Sequence, residues 1–176
     1  MKQGCTHVYY GNGKGKTTAA IGLGIRAWGC GLTVVLVQFL KDTATGELKA
    51  LGQLEGFLVL RGKAKRKLFS KDMNEEEKTL TQSIHEANLN QALSLVKNGK
   101  CDVLILDEAL DAYRLGLLKE DVLRPLVFEK PETLELVITG HTPVDWILDH
   151  ADYVTEMVKQ KHPYDRGIMA RRGIEF

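Results

Sequence analysis

The chain has 176 residues, of which 44% are hydrophobic and 27% charged, with 17 glycines and 4 prolines. This composition excludes a fibre or a mainly disordered tail and fits one folded domain over residues 1–176. Lys and Arg number 24 against 23 Asp and Glu, so no global field is available to hold a polyanion and nucleic acid is not an expected partner.

Cys5, Cys30 and Cys101 are widely spaced and contain no C-x-x-C pair. That argues against a disulfide framework or a thiolate zinc site; the three are expected to be small buried apolar residues in a reducing cytoplasm. No apolar run follows Lys2, and no window reaches the ~18 residues of a membrane span. Neither export nor a membrane partner is expected. His7, His85, His141, His150 and His162 show none of the short spacings that bring two imidazoles onto one metal.

In chain order, Thr6 to Tyr10 reads as a buried strand and is followed at once by Gly11-Asn12-Gly13-Lys14-Gly15-Lys16-Thr17-Thr18 and an Ala-rich helical stretch. Strand, glycine loop and helix are the parts of a phosphate cradle. Glycines let backbone N–H groups converge on phosphate oxygens, the helix start presents its free N–H groups to the same anion, and Lys16 adds a point charge. Thr17 stands where phosphate loops supply a hydroxyl to Mg²⁺. The loop is a variant, because the general pattern places a glycine where this chain has Tyr10.

Thr33 to Phe39 and Phe57 to Leu60 read as the next strands. The basic run from Arg61 to Lys71 carries only Phe69 as a stacking aromatic and reads as a solvated loop. Asn74 with Glu77 forms a capping-box pattern, and apolar residues keep helical spacing to Asn98-Gly99, a helix of about 24 residues. Val103 to Leu106 is a continuous apolar strand that delivers Asp107 and Glu108 at its end, where a phosphate-loop protein needs carboxylates for Mg²⁺, a water or a ribose hydroxyl. Leu134 to Ile138 and Tyr153-Val154 complete the strands, all expected to be buried and parallel. Trp28 and Trp146 are expected to pack helices onto the sheet. His162, in Lys161-His162-Pro163, is either a turn residue or a substrate contact.

This alternation predicts an α/β fold, an open and mostly parallel sheet with helices on both faces, of the P-loop NTPase-like (RecA-like) kind. The site is expected beyond the C-terminal ends of strands one, four and five.

Taken together, the loop from Gly11 to Ala20, Arg26-Ala27, Gln38-Phe39-Leu40-Lys41 with Gly46-Glu47, Asp107-Glu108, Thr139-Gly140, Ala151-Asp152, Lys161-His162-Pro163 and the ending Gly173-Ile174-Glu175 resemble the ATP:corrinoid adenosyltransferases of the cobalamin pathway. The resemblance covers nearly the whole chain. It implies transfer of the 5'-deoxyadenosyl group of ATP to the Co(I) of a reduced corrinoid, with triphosphate leaving and ATP lying reversed along the loop. It also implies Mg²⁺ or Mn²⁺, a homodimer, and a flavoprotein reductase as electron donor. Lys16, Asp107 and Glu108 would then be catalytic, with Thr17, Asp107 and Glu108 on the metal. The loop residues Gly11 to Thr18, Arg26, Thr139 and His141 would bind ATP.

The chain departs from these relatives at two places. Arg61 to Lys71 replaces a Gly-Phe-x-Trp stretch, and His141 stands where relatives read Arg, replacing a permanent cation with a ring expected to be largely neutral at pH 7. A P-loop ATPase acting on another substrate and a non-catalytic ATP-binding module are the alternative readings.

Overall fold

Alternate residues of the central strands are apolar in both phases. Val34, Leu36, Val103, Ile105 and Val137 face one way, while Val35, Val37, Leu104, Leu106, Leu136 and Ile138 face the other. Such strands bury themselves only when helices cover both faces. The computed structural model, which describes residues 3–41, 45–62 and 73–175, has this arrangement.

Its elements are β1 (Thr6–Tyr10), α1 (Lys16–Gly29), β2 (Val34–Gln38), α2 (Gly46–Leu51), β3 (Phe57–Arg61), α3 (Glu75–Lys97), β4 (Val103–Asp107), α4 (Ala109–Arg114), α5 (Glu120–Phe128), β5 (Glu135–Gly140), α6 (Asp145–Leu148) and β6 (Tyr153–Glu156). A short 3₁₀ turn follows at Pro163–Arg166. Among the described residues the strands form one sheet in the order β3-β2-β4-β5-β1-β6, and every pair is parallel. This is the α/β, P-loop NTPase-like fold expected from the alternation.

One face is covered by α1 and α2, through Ala20, Ile21 and Leu51. The other is covered by α3, α4, α5 and α6, through Leu89, Ala92, Leu110, Leu123 and Ile147. Trp28 and Trp146 are half-buried and pack against these two clusters, as expected. Asn74 caps α3 by accepting from the Glu77 amide at 2.8 Å, while Glu77 accepts from the Asn74 amide at 3.0 Å. The capping box is formed, and the helix has 23 residues.

Two expectations need correction. β6 is parallel but not buried: it is an edge strand, all four of its residues are exposed, and helices do not enclose it. The cysteines also differ among themselves. Cys101 is buried, and burial pushes its thiol up to about 12. Cys5 is half-buried and Cys30, at the end of α1, is exposed. The basic run from Lys63 to Lys71, with Phe69, lies outside the described residues.

Candidate active site

The phosphate loop is built by the end of β1, the start of α1 and the segment that follows β6. Gly11 has φ 110°, and a Cβ there would lie 2.5 Å from the Met157 carbonyl oxygen. Gly13 faces the same carbonyl at 2.7 Å. These two glycines are therefore required by the close approach of another strand. Their amides are also engaged, Gly11 N–H donating to His141 O and Gly13 N–H to Met157 O. Of the loop amides expected to converge on phosphate, those of Gly11 and Gly13 thus already have backbone partners. Gly15, at φ 117°, precedes α1, whose first turn has neither a side-chain cap nor an acidic residue. Those uncapped amides could accept an anion.

Lys16 is only 6% exposed. Its ammonium donates to the carbonyls of Gly11 and Gly13 at 2.8 and 2.9 Å, and burial lowers its pKa. Lys14 is exposed and reaches outward, donating to Ile174 O at 3.3 Å and standing 3.7 Å from the Glu175 carboxylate. Asn12 Oδ1 accepts from the Lys159 amide at 2.8 Å. The chain beyond β6 is thus fastened along the outer side of the loop.

The second wall comes from β4 and β5. Register places Gln38 opposite Asp107 and Leu106 opposite Ile138, so Asp107 sits among side chains from β2, β5 and α1. It is fully buried. Oδ1 accepts from Thr17 and Thr139 hydroxyls, both at 2.8 Å, and Oδ2 accepts from Gln38 Nε2 at 3.2 Å and Lys41 Nζ at 2.5 Å. Glu108 is the N-cap of α4 with φ 63°, a left-handed conformation uncommon for such a residue and frequent at functional sites.

His141 closes this wall. Its amide donates to Asp111 Oδ2 at 2.6 Å, and its Nδ1 lies 3.4 Å from that oxygen and 3.7 Å from Glu108 Oε2. Hydrogen bonding to Asp111, then to Glu108, raises the ring to about 9. Burial alone would raise the Asp111 carboxyl, but hydrogen bonds led by those from His141 hold it below its ordinary value. The expectation of a largely neutral ring is corrected: His141 is an imidazolium at pH 7. It supplies the positive charge expected of the relatives' Arg, although without a fork of donors. Glu108, Asp111 and His141 also place one ligand atom each within 4.8 Å of one another, close enough to share an ion once the ring has lost its proton.

These walls enclose a cavity of about 370 Å³ bounded by the loop from Asn12 to Thr18, Lys41, Glu108, His141, His162, Ile174 and Glu175. A second cavity, of about 490 Å³, adjoins it across Thr17, Thr18 and Lys41 and continues beside Ile21, Ile25 and Glu47.

A family profile described as ATP:corrinoid adenosyltransferase BtuR/CobO/CobP matches residues 2–176. The chain belongs to this family. A corrinoid adenosyltransferase of Pseudomonas aeruginosa is 31% identical over 179 residues, covering 99% of this chain and 85% of that protein. One from Escherichia coli K12 is 32% identical over 178 residues, with 99% and 87% covered. The corrinoid adenosyltransferase CobA of Salmonella typhimurium is 30% identical over 182 residues, with 99% and 87% covered.

In this member of the family, the loop, Lys16, Thr17, Glu108 and His141 are brought together as the sequence reading expects. Thr139 is fully buried and does not line the cavity. Its hydroxyl donates to Asp107 and accepts from the Glu108 amide at 3.0 Å, so it positions both acids. Arg26 lies in the last turn of α1 and is exposed, roughly 15 Å along the helix axis from Lys16. It is not among the residues brought together. His162 is the turn residue of the first reading, its Nδ1 accepting from the Tyr164 amide at 3.2 Å, and it also lines the cavity. Lys41, Gln38 and Asp111 are site residues that sequence reasoning missed. The Gln-Phe-Leu-Lys stretch was the available signal for the first two; Asp111 had none.

Proposed function

We propose that this chain transfers the 5'-deoxyadenosyl group of ATP to the Co(I) of a corrinoid and releases triphosphate. The observation that carries the reading is the uncapped start of α1, with Lys16 and Thr17 beside it, facing Glu108 and His141 across one cavity. Family membership supplies the reaction class. Co(I), as substrate, is the nucleophile: its electron pair forms the Co–C5' bond while the C5'–O bond breaks and its pair leaves on the triphosphate. No protein nucleophile is needed. The chain's part is to bind and orient a leaving group whose charge grows, which the α1 amides, Lys16 and the His141 imidazolium do electrostatically.

The residues present fit a divalent ion. Asp107 is a buried carboxylate, Thr17 offers a hydroxyl beside it, and Gln38 Oε1 is buried without a hydrogen-bond partner among the described residues. Thr17, Asp107 and Glu108 would hold Mg²⁺ or Mn²⁺, which when bound neutralises phosphate charge. A homodimer and a flavoprotein electron donor follow from the resemblance, and a cytoplasmic location from the unpaired cysteines; they complete the reading. Among the described residues, no helix is long and apolar enough to cross a membrane.

Lys16→Ala tests the assignment. Calorimetric titration with MgATP should show binding roughly 10- to 100-fold weaker, the loss of a charge-assisted contact, with an unchanged circular dichroism spectrum. Adenosylation of chemically reduced cobalamin, followed by absorbance, should fall with it. Near-native MgATP affinity would remove the nucleotide site from the loop.

A further inference from the structure

A carboxylate withdrawn from water requires donors and a compensating cation. Fully buried Asp107 has neutral donors in Thr17, Thr139 and Gln38, and its cation is Lys41. The same Lys41 ammonium also donates to Thr17 Oγ1 at 3.1 Å. One ammonium therefore touches both the hydroxyl and the carboxylate assigned above to the divalent ion. Its placement is built into the fold. Lys41 follows Leu40, which at φ 54° is one of two non-glycine residues with positive φ among those described, and the Leu40 amide is held by His85 Nε2 at 3.4 Å. That left-handed residue turns the chain at the end of β2 so that Lys41 enters the site. Lys41 also borders both cavities, so its flexible stem has open space on the nucleotide side.

We propose that Lys41 is an internal counter-cation, holding the divalent-ion position of the nucleotide-free protein and turning to the phosphate chain when the ion arrives with ATP. The inference rests on reading Thr17 and Asp107 as the metal-side groups. An ion arriving alone must move the ammonium out of its buried pair, with the cavity-wall carboxylates Glu47, Glu108 and Glu175 to turn to but no phosphate as a new anionic partner. An ion arriving with ATP brings that partner in the phosphates. Metal is thereby admitted as the nucleotide complex and excluded as the free ion.

The test is binding of Mn²⁺ to the parent, Lys41→Met and Lys41→Arg proteins, read without ATP from the electron paramagnetic resonance signal of the free aquo ion and with ATP from the Mn²⁺ retained on the protein side in equilibrium dialysis against MnATP. Without nucleotide, parent and Lys41→Arg should bind Mn²⁺ weakly, and Lys41→Met at least about tenfold more tightly, because its buried carboxylate has lost the one cation in direct contact with it among the described residues. Mg²⁺ alone should raise the Tm of Lys41→Met and leave that of the parent unchanged. If the methionine variant does not fold, Lys41→Gln, which keeps a donor for Asp107, serves in its place. Equal Mn²⁺ affinity of the folded variant and the parent without ATP, while the parent retains Mn²⁺ with ATP, overturns the counter-cation role alone. A parent that retains no Mn²⁺ even with ATP overturns the reading of Thr17 and Asp107, and the inference with it.

Discussion

Lys16 holds an ammonium against two carbonyls with almost no water, an arrangement short of negative charge. In the proposed reading a phosphate would complete it, and the glycines around it would let it approach. Gly11 shows how strict that geometry is, since a methyl group there meets the Met157 carbonyl at 2.5 Å on a backbone already at φ 110°. Gly11→Ala is expected to cost roughly 2–4 kcal/mol of stability, combining overpacking with left-handed strain. Gly22→Ala, in a helix with nothing within 4 Å of its added carbon, should gain about 0.5–1 kcal/mol. Urea denaturation of both variants checks the contrast; equal effects would mean that the β6 segment yields to the loop. Lys16, Thr17 and the Asp107-Glu108 pair were legible in sequence because each has a fixed offset from a strand end. Lys41 carried no such mark, since its role depends on a left-handed residue and on a strand register that places Gln38 beside Asp107. The charge of His141 was illegible for a related reason: Asp111, whose carboxylate keeps the ring protonated, is 30 residues away.

The elements that aim these residues are the strand ends and α3. His85, buried on α3, accepts the Leu40 amide at Nε2 and lies 3.3 Å from Leu117 O at Nδ1. These partners specify the neutral ring with its proton on Nδ1. Burial pushes the group down to about 4 from its ordinary 6.5. The unfolded chain therefore binds the extra proton more readily between those values. Stability from His85 is complete above about 6.5 and is lost as pH falls from there towards about 4. The parent should lose on the order of 2 kcal/mol more than His85→Gln between the ends of that window, measured by urea melts at each pH. Identical pH dependence would show that the ring is not held neutral. α3 and its cap were readable from Asn74, Glu77 and the apolar period, as were the central strands from their unbroken apolar runs. β6 was readable as a strand but not as an exposed one, because a short apolar pair looks alike at an edge and in a core.

Across the whole molecule, the sheet order converts distance in sequence into contact. Thr17 and Asp107, 90 residues apart, share a hydrogen bond because β5 lies between β1 and β4 while the ends of all three strands open on one side. The segment after β6 then returns along the loop to Lys14, so the last described residues border the same cavity as the first glycines. Sequence alternation predicted the class of fold and the end of the sheet that carries the site. It did not predict the contribution of β2 or the fastening of the tail, which arise only when the strand order is known. In the proposed reaction the loop holds triphosphate as a leaving group. This is tested most directly by phosphorus NMR of the products formed from MgATP and a chemically reduced corrinoid. Intact triphosphate in equal amount to adenosyl-corrinoid is the predicted result; ADP with orthophosphate, formed at a rate abolished by Lys16→Ala, would contradict it.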